Sequence, residues 1–158
     1  MKQCVLLLSM CLFMITSCTT DPEKKFTARH PVDSIGLKGS WKLVSATKVS
    51  KGLTTFTDYT RNQEMIKIIN DSHFAFLRHD LKPDAEGKSN FDGGGGRYQL
   101  AGNQYTEHLD YYNDKSWEGK TFTFRVTINK DTLIQTGIEK IESEGIDQTI
   151  TEKYVKIK

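Results

Sequence analysis

The chain has 158 residues, with 22 Lys and Arg set against 20 Asp and Glu and a net charge of +2 at pH 7. This balance, without any basic block, excludes the electrostatic footprint of a nucleic-acid-binding protein. The three cysteines are Cys4, Cys11 and Cys18. The chain after residue 18 therefore has no disulfide and no thiolate metal site, and core packing must hold it.

Residues 1–17 read as an export signal. Lys2 is a short basic region, and the apolar run from Val5 to Ile15 is too short to span a bilayer comfortably. Ile15-Thr16-Ser17-Cys18 resembles a bacterial lipobox. The resemblance implies cleavage before Cys18 and lipid attachment to its sulfur, so that the acyl chains anchor the protein at about 0.8 kcal/mol per buried CH₂. Thr19 follows the cysteine. In Gram-negative lipoproteins an Asp there implies inner-membrane retention, so the resemblance implies an outer-membrane address in the cell envelope. Residues 18–38 are polar, carry Pro22 and Pro31, and show no period. They read as a tether, spanning on the order of 25 Å if flexible.

Residues 39–158 are one domain's worth of chain. They begin with an alternating stretch that places Trp41, Leu43, Ser45, Thr47 and Val49 on one face and Lys42, Val44, Ala46 and Lys48 on the other. Seven further strands are expected after 41–49: 64–69, 72–79, 95–101, 103–112, 120–128, 131–138 and 147–157. A short helix is an option between residues 51 and 63. Tight turns are expected at Asn70-Asp71, Gly102-Asn103 and Asn129-Lys130. The long connections are 50–63, 80–94, 113–119 and 139–145. In an up-and-down sheet alternate connections lie at opposite ends. The tight turns thus close a base, and the long loops rim a mouth. This favours an all-β, eight-stranded, up-and-down antiparallel barrel over a sandwich, and closure removes the exposed edges.

Gly39-Ser40-Trp41 resembles the Gly-x-Trp opening of the lipocalins, eight-stranded barrels that bind apolar ligands. In that family a basic side chain of the last strand covers the tryptophan. Lys156 is the matching position, where the family usually has Arg. With the Gly-rich fourth strand, Tyr105-Thr106-Glu107 and the closing Glu152-Lys153-Tyr154, residues 39–158 more closely resemble the lipocalin-like lipoproteins of Gram-negative bacteria.

Strand parity proposes an interior. Phe122 and Phe124 point inward on strand six, Phe74, Phe76 and Arg78 on strand three, Tyr98 on strand four, and Tyr105, Glu107 and Tyr111 on strand five. With Trp117 at the mouth they form the expected ligand-binding set: aromatic walls with a few polar groups. Leu133, Gln135, Glu152 and Tyr154 are further candidates on strands seven and eight. An anionic head on Arg78 and a cationic one on Glu107 are both open. Gly93-Gly94-Gly95-Gly96 leads into a strand and lacks Gly-Lys-Ser/Thr, so it reads as a mouth loop and not a phosphate site. His30, His73, His79 and His108 have no metal-ligand spacing, and no nucleophile motif occurs. Neither catalysis, metal nor cofactor is expected. The expected function is binding of a small, mostly apolar or amphipathic ligand by a membrane-anchored protein. The alternative is an interaction module whose mouth aromatics Phe56, Tyr59, Phe91 and Trp117 engage an envelope protein or a glycan.

Overall fold

The alternating stretches become strands in a computed structural model, which describes residues 35–158. The expected signal peptide, Cys18 and the tether as far as residue 34 lie outside the described residues. The strands are β1 (Gly39–Ser50), β2 (Leu53–Asp58), β3 (Gln63–Ile69), β4 (His73–Asp80), β5 (Phe91–Ala101), β6 (Gln104–His108), β7 (Tyr111–Tyr112), β8 (Thr121–Asn129), β9 (Thr132–Ile141) and β10 (Ile146–Lys156). The order β1-β3-β4-β5-β6-β8-β9-β10 closes on itself, because β10 also pairs with β1. All of these pairings are antiparallel. The result is an eight-walled up-and-down barrel, the architecture of the lipocalins.

The two remaining strands continue walls already present. β2 and β3 both run antiparallel to β1 on the same edge, β2 against Ser45 to Ser50 and β3 against Gly39 to Lys42. Together they are one wall interrupted by an excursion at residues 59–62. β7 carries the wall of β6 on along β5.

Two expectations about the connections are corrected. Residues 51–63 hold no helix and are not a long loop. Lys51 and Gly52 both have positive φ, 50° and 77°, and form the two-residue turn of a β1–β2 ribbon. The four-glycine run is no loop either, since Gly93 to Gly96 lie within β5 and pair with Phe74 to Leu77. The three turns at the base are tight, but only Gly102-Asn103, between Ala101 and Gln104, stands where expected; the other two fall one residue later, at Asp71-Ser72 between Asn70 and His73 and at Lys130-Asp131 between Asn129 and Thr132.

The core sits at that base. Trp41, Tyr105, Leu133 and Tyr154 are fully buried there. Trp41 Nε1 donates to the Leu37 carbonyl at 2.8 Å, and Lys156 Nζ stands 5.1 Å from the indole centroid. The expected pairing of the first-strand tryptophan with Lys156 is therefore present, with cation–π attraction as its physical basis. Packing starts ahead of Gly39, because Leu37 is fully buried and Ile35 packs on the core.

Candidate functional site

The barrel floor is polar, and its central group is Lys67. Cross-strand partners share a face of the sheet. Phe74, Phe76 and Arg78 point inward, so their β3 partners Ile69, Lys67 and Met65 do too. The Lys67 ammonium is buried. It donates to Glu107 Oε1 at 2.7 Å and to Gln135 Oε1 at 3.2 Å. The rings of Tyr154, Phe74 and Tyr105 lie 5.4, 5.6 and 5.8 Å from it. A carboxylate, an amide oxygen and three ring faces thus replace its hydration.

Above this floor lies a cavity of about 230 Å³ that opens at the mouth. Its apolar side is Met65, Phe76, Leu109, Phe122, Phe124 and Ile150. Aromatic rings continue to the rim. Phe76 to Tyr112 is 5.8 Å between centroids, Tyr112 to Trp117 is 6.5 Å edge-on, and Trp117 to Phe122 is 5.6 Å. Gly94 makes this possible. A Cβ there would lie 2.9 Å from the Tyr112 ring and 3.0 Å from that of Phe76.

The opposite wall, from β9 and β10, carries Gln135, Glu139 and Glu152. Burial raises the Glu152 carboxyl above its ordinary value; the Lys67 charge and a hydrogen bond from Tyr154 Oη at 2.9 Å partly oppose this. Burial likewise raises Glu139, against a hydrogen bond from Gln148 Nε2 at 2.7 Å and the charge of Lys48. At the rim Arg78 lies 3.8 Å from Asp92 and 3.9 Å from Asp80. Burial, then Asp92, pushes Tyr112 up to about 12. The fully buried Tyr105 hydroxyl makes no hydrogen bond in the normal range. Burial, then the neighbouring Glu107 charge, raises its pKa well above 10. Among the described residues, no three His, Cys, Asp or Glu side chains converge in metal-ligating geometry.

The expected set divides in three. Phe76, Arg78, Glu107, Trp117, Phe122 and Phe124 line the cavity. Phe74 and Tyr105 point inward but are packed in the floor around Lys67, and Tyr98 stacks 5.3 Å from Tyr105 with its hydroxyl donating to the Asn70 carbonyl at the base. Tyr111 is a correction: it points outward and is 69% exposed. The one-residue shift in register between the β5–β6 and β5–β7 pairings is a bulge at Leu109-Asp110, which inverts the alternation and turns Tyr112 inward instead. The same device corrects the faces of β1. A register shift between Leu43 and Ser45 turns Ala46 and Lys48 inward, leaving Val49 41% exposed.

Sequence reasoning missed Lys67, Lys48, Asp92, Tyr112 and Glu139, and it gave Tyr59 to the mouth surface where the structure places it in the cavity lining. A usable signal existed for Lys67. The tight turn after Ile69 fixes the β3–β4 register, and inward aromatics on β4 then dictate an inward lysine.

No family model matches this chain, and no curated protein does. Among solved structures, a lipocalin-like protein from Bacteroides uniformis ATCC 8492 is similar, with 21% identity over 77% of this chain and 98% of its own and a TM-score of 0.46. The assignment of the barrel rests on the strand order and registers given above.

Proposed function

We propose that the protein is a non-catalytic binder of one small amphipathic molecule, held inside the barrel and reached through its mouth. The observation that carries this is the cavity: half its wall is aromatic and aliphatic, half carries ionisable groups, and it opens beside Trp117. At about 230 Å³ it falls below the ~300–1,000 Å³ of drug-sized sites, so the ligand is small or leaves part of itself at the rim. Glu107, the interior acid that a catalytic reading would use, is committed to Lys67.

Trp117 supplies the test. It lines the cavity, whereas the chain's other tryptophan, Trp41, is buried at the base. Titration with a panel of small amphiphiles should change Trp117 emission and raise the melting midpoint together. A ligand at 100 times its Kd stabilises by about 2.7 kcal/mol. Trp117→Phe should abolish the optical signal. A panel that moves neither midpoint nor emission would defeat the reading.

The address belongs to the proposal as well. Ile15-Thr16-Ser17-Cys18 supports a lipid anchor on Cys18, with the barrel held at an envelope membrane, on the outer-membrane side by the Thr19 rule. Cys18→Ala should move the protein from the membrane fraction to the soluble one or stall its processing. Mass spectrometry finding an unmodified amino terminus elsewhere would contradict it.

A second reading draws on the outer surface. Leu53, Phe56 and Phe91 are 75%, 66% and 68% exposed near the mouth, which suits contact with an envelope protein or a glycan. Tyr59 and Trp117, the other two aromatics of that reading, instead pack against the core.

A further inference from the structure

We propose that the cavity recognises a positively charged nitrogen, the ammonium or amidinium head of a small amphiphile, on the wall that carries Glu139 and Glu152. This rests on the cavity being a ligand site, and names the class of ligand. The charges on the cavity wall do not balance. The lining cations are Lys48, Lys67 and Arg78; the lining anions are Asp92, Glu107, Glu139 and Glu152. Lys67 is committed to Glu107, and Arg78 lies between Asp80 and Asp92. What remains is the carboxyl groups of Glu139, which faces Lys48, and Glu152, and among the described residues neither has a cation within 4.0 Å.

Each of the two is also half-used. Tyr154 and Gln148 donate to Oε2 of Glu152 and of Glu139, and Oε1 of each has no donor among the described residues. Of the fully buried side-chain oxygens and nitrogens among the described residues, only Tyr105 Oη lacks a partner. The two free carboxyl oxygens are therefore not sealed in protein, and both side chains line the cavity. Both side chains are only partly buried by accessible surface, but a desolvated carboxyl without a counter-ion is still costly, and a ligand that supplies the counter-ion gains what the empty protein lacks. The facing aromatic walls favour the same charge through their ring faces. An anionic head would meet two carboxyls and find Lys67 and Arg78 already paired. The carboxyls do not converge as a metal site, so the cation is an organic one with an apolar body.

The surroundings of these carboxyls set the pH response. Glu152 faces Lys67 of β3, Glu107 of β6, Glu139 of β9, Tyr154 of its own strand, and Tyr59. Glu139 faces Lys48 of β1, Gln148 of β10, Glu107 and Lys67. At both, burial opposes ionisation and the nearby lysines offset this only in part, so a bound cation would favour the ionised carboxylates.

Three six-carbon probes test this: hexylamine, hexan-1-ol and hexanoate, titrated calorimetrically at pH 5.5 and 7.5. Hexylamine should bind about tenfold more tightly than hexanol at pH 7.5, and hexanoate more weakly than either. The hexylamine advantage should shrink at pH 5.5. Glu152→Gln should bring hexylamine to the level of hexanol and leave hexanol unchanged; Glu139→Gln should act in the same direction. If the three probes bind equally, or hexanoate binds best, the cavity remains a ligand site and the cation preference is overturned. The preference is also overturned if hexylamine binds but ignores both variants. If none of the three binds, the small-ligand reading falls and takes this inference with it.

Discussion

Lys67 is the residue on which the interior turns. A lysine is rarely buried unless paired, and here the pairing is with one carboxylate, one amide and three rings. Such a pair adds little stability over apolar groups of the same shape, but breaking it strands a charge. Lys67→Met should therefore cost about 3–5 kcal/mol, because Glu107 is left without its counter-ion. The double variant Lys67→Met, Glu107→Gln should recover most of that loss. Urea denaturation of the two singles and the double would show it. Additive losses would mean that the two side chains contribute independently and the floor is not a coupled unit.

The bulges decide, at the scale of the strand, which side chains reach the cavity. At the junction of β6 and β7 the chain crosses over Gly96. A Cβ on Gly96 would lie 1.9 Å from the His108 carbonyl oxygen and 2.6 Å from the Asp110 nitrogen, both backbone atoms that cannot swing aside. Gly96→Ala should thus destabilise by at least the ~1–3 kcal/mol typical of overpacking, and should disturb Tyr112 with it. An unchanged denaturation midpoint would show that the bulge tolerates a side chain. Bulges also mark where reading from the sequence stops. Alternation alone placed Phe76, Phe122 and Phe124 correctly, since their strands are regular over those residues. It failed at Tyr111 and Lys48, each beyond a register shift. The extra residue in a bulge has no signature of its own in composition. Gly93 to Gly96 held part of the signal, because glycines inside a strand mark close backbone approach, but four in a row look like a loop until the pairing with β4 is known. Lys67 failed for another reason: a lone charge in an apolar strand is ordinarily assigned to the outside, and only its partner strand argues otherwise.

The whole barrel should show a stability that peaks in mildly acidic solution, because two sets of carboxyls pull in opposite directions. On the outside, hydrogen bonds from Arg97, first its side chain and then its backbone N–H, lower Asp110 to about 2; local hydrogen bonds lower Asp58, Asp80 and Asp114 as well. A depressed folded pKa gives stability that is present above the unfolded value, ~3.9 for Asp, and is lost as the pH falls through the folded one. On the inside, burial raises Glu139 and Glu152. A raised folded pKa gives stability that is present below the unfolded value, ~4.3 for Glu, and is lost as the pH rises through the folded one. Melting midpoints measured across the acid range and on into the alkaline should fall on both sides of the peak. Asp110→Asn should flatten the acid limb. Glu139→Gln with Glu152→Gln should flatten the other limb and raise the midpoint at neutral pH. A decline above the peak that survives both glutamine substitutions would show that the cavity wall is not its source. The same wall connects stability to binding. Carboxyls that weaken the empty barrel as they ionise are the groups a cationic ligand would neutralise, so saturating hexylamine should restore at neutral pH the midpoint that ionisation removes.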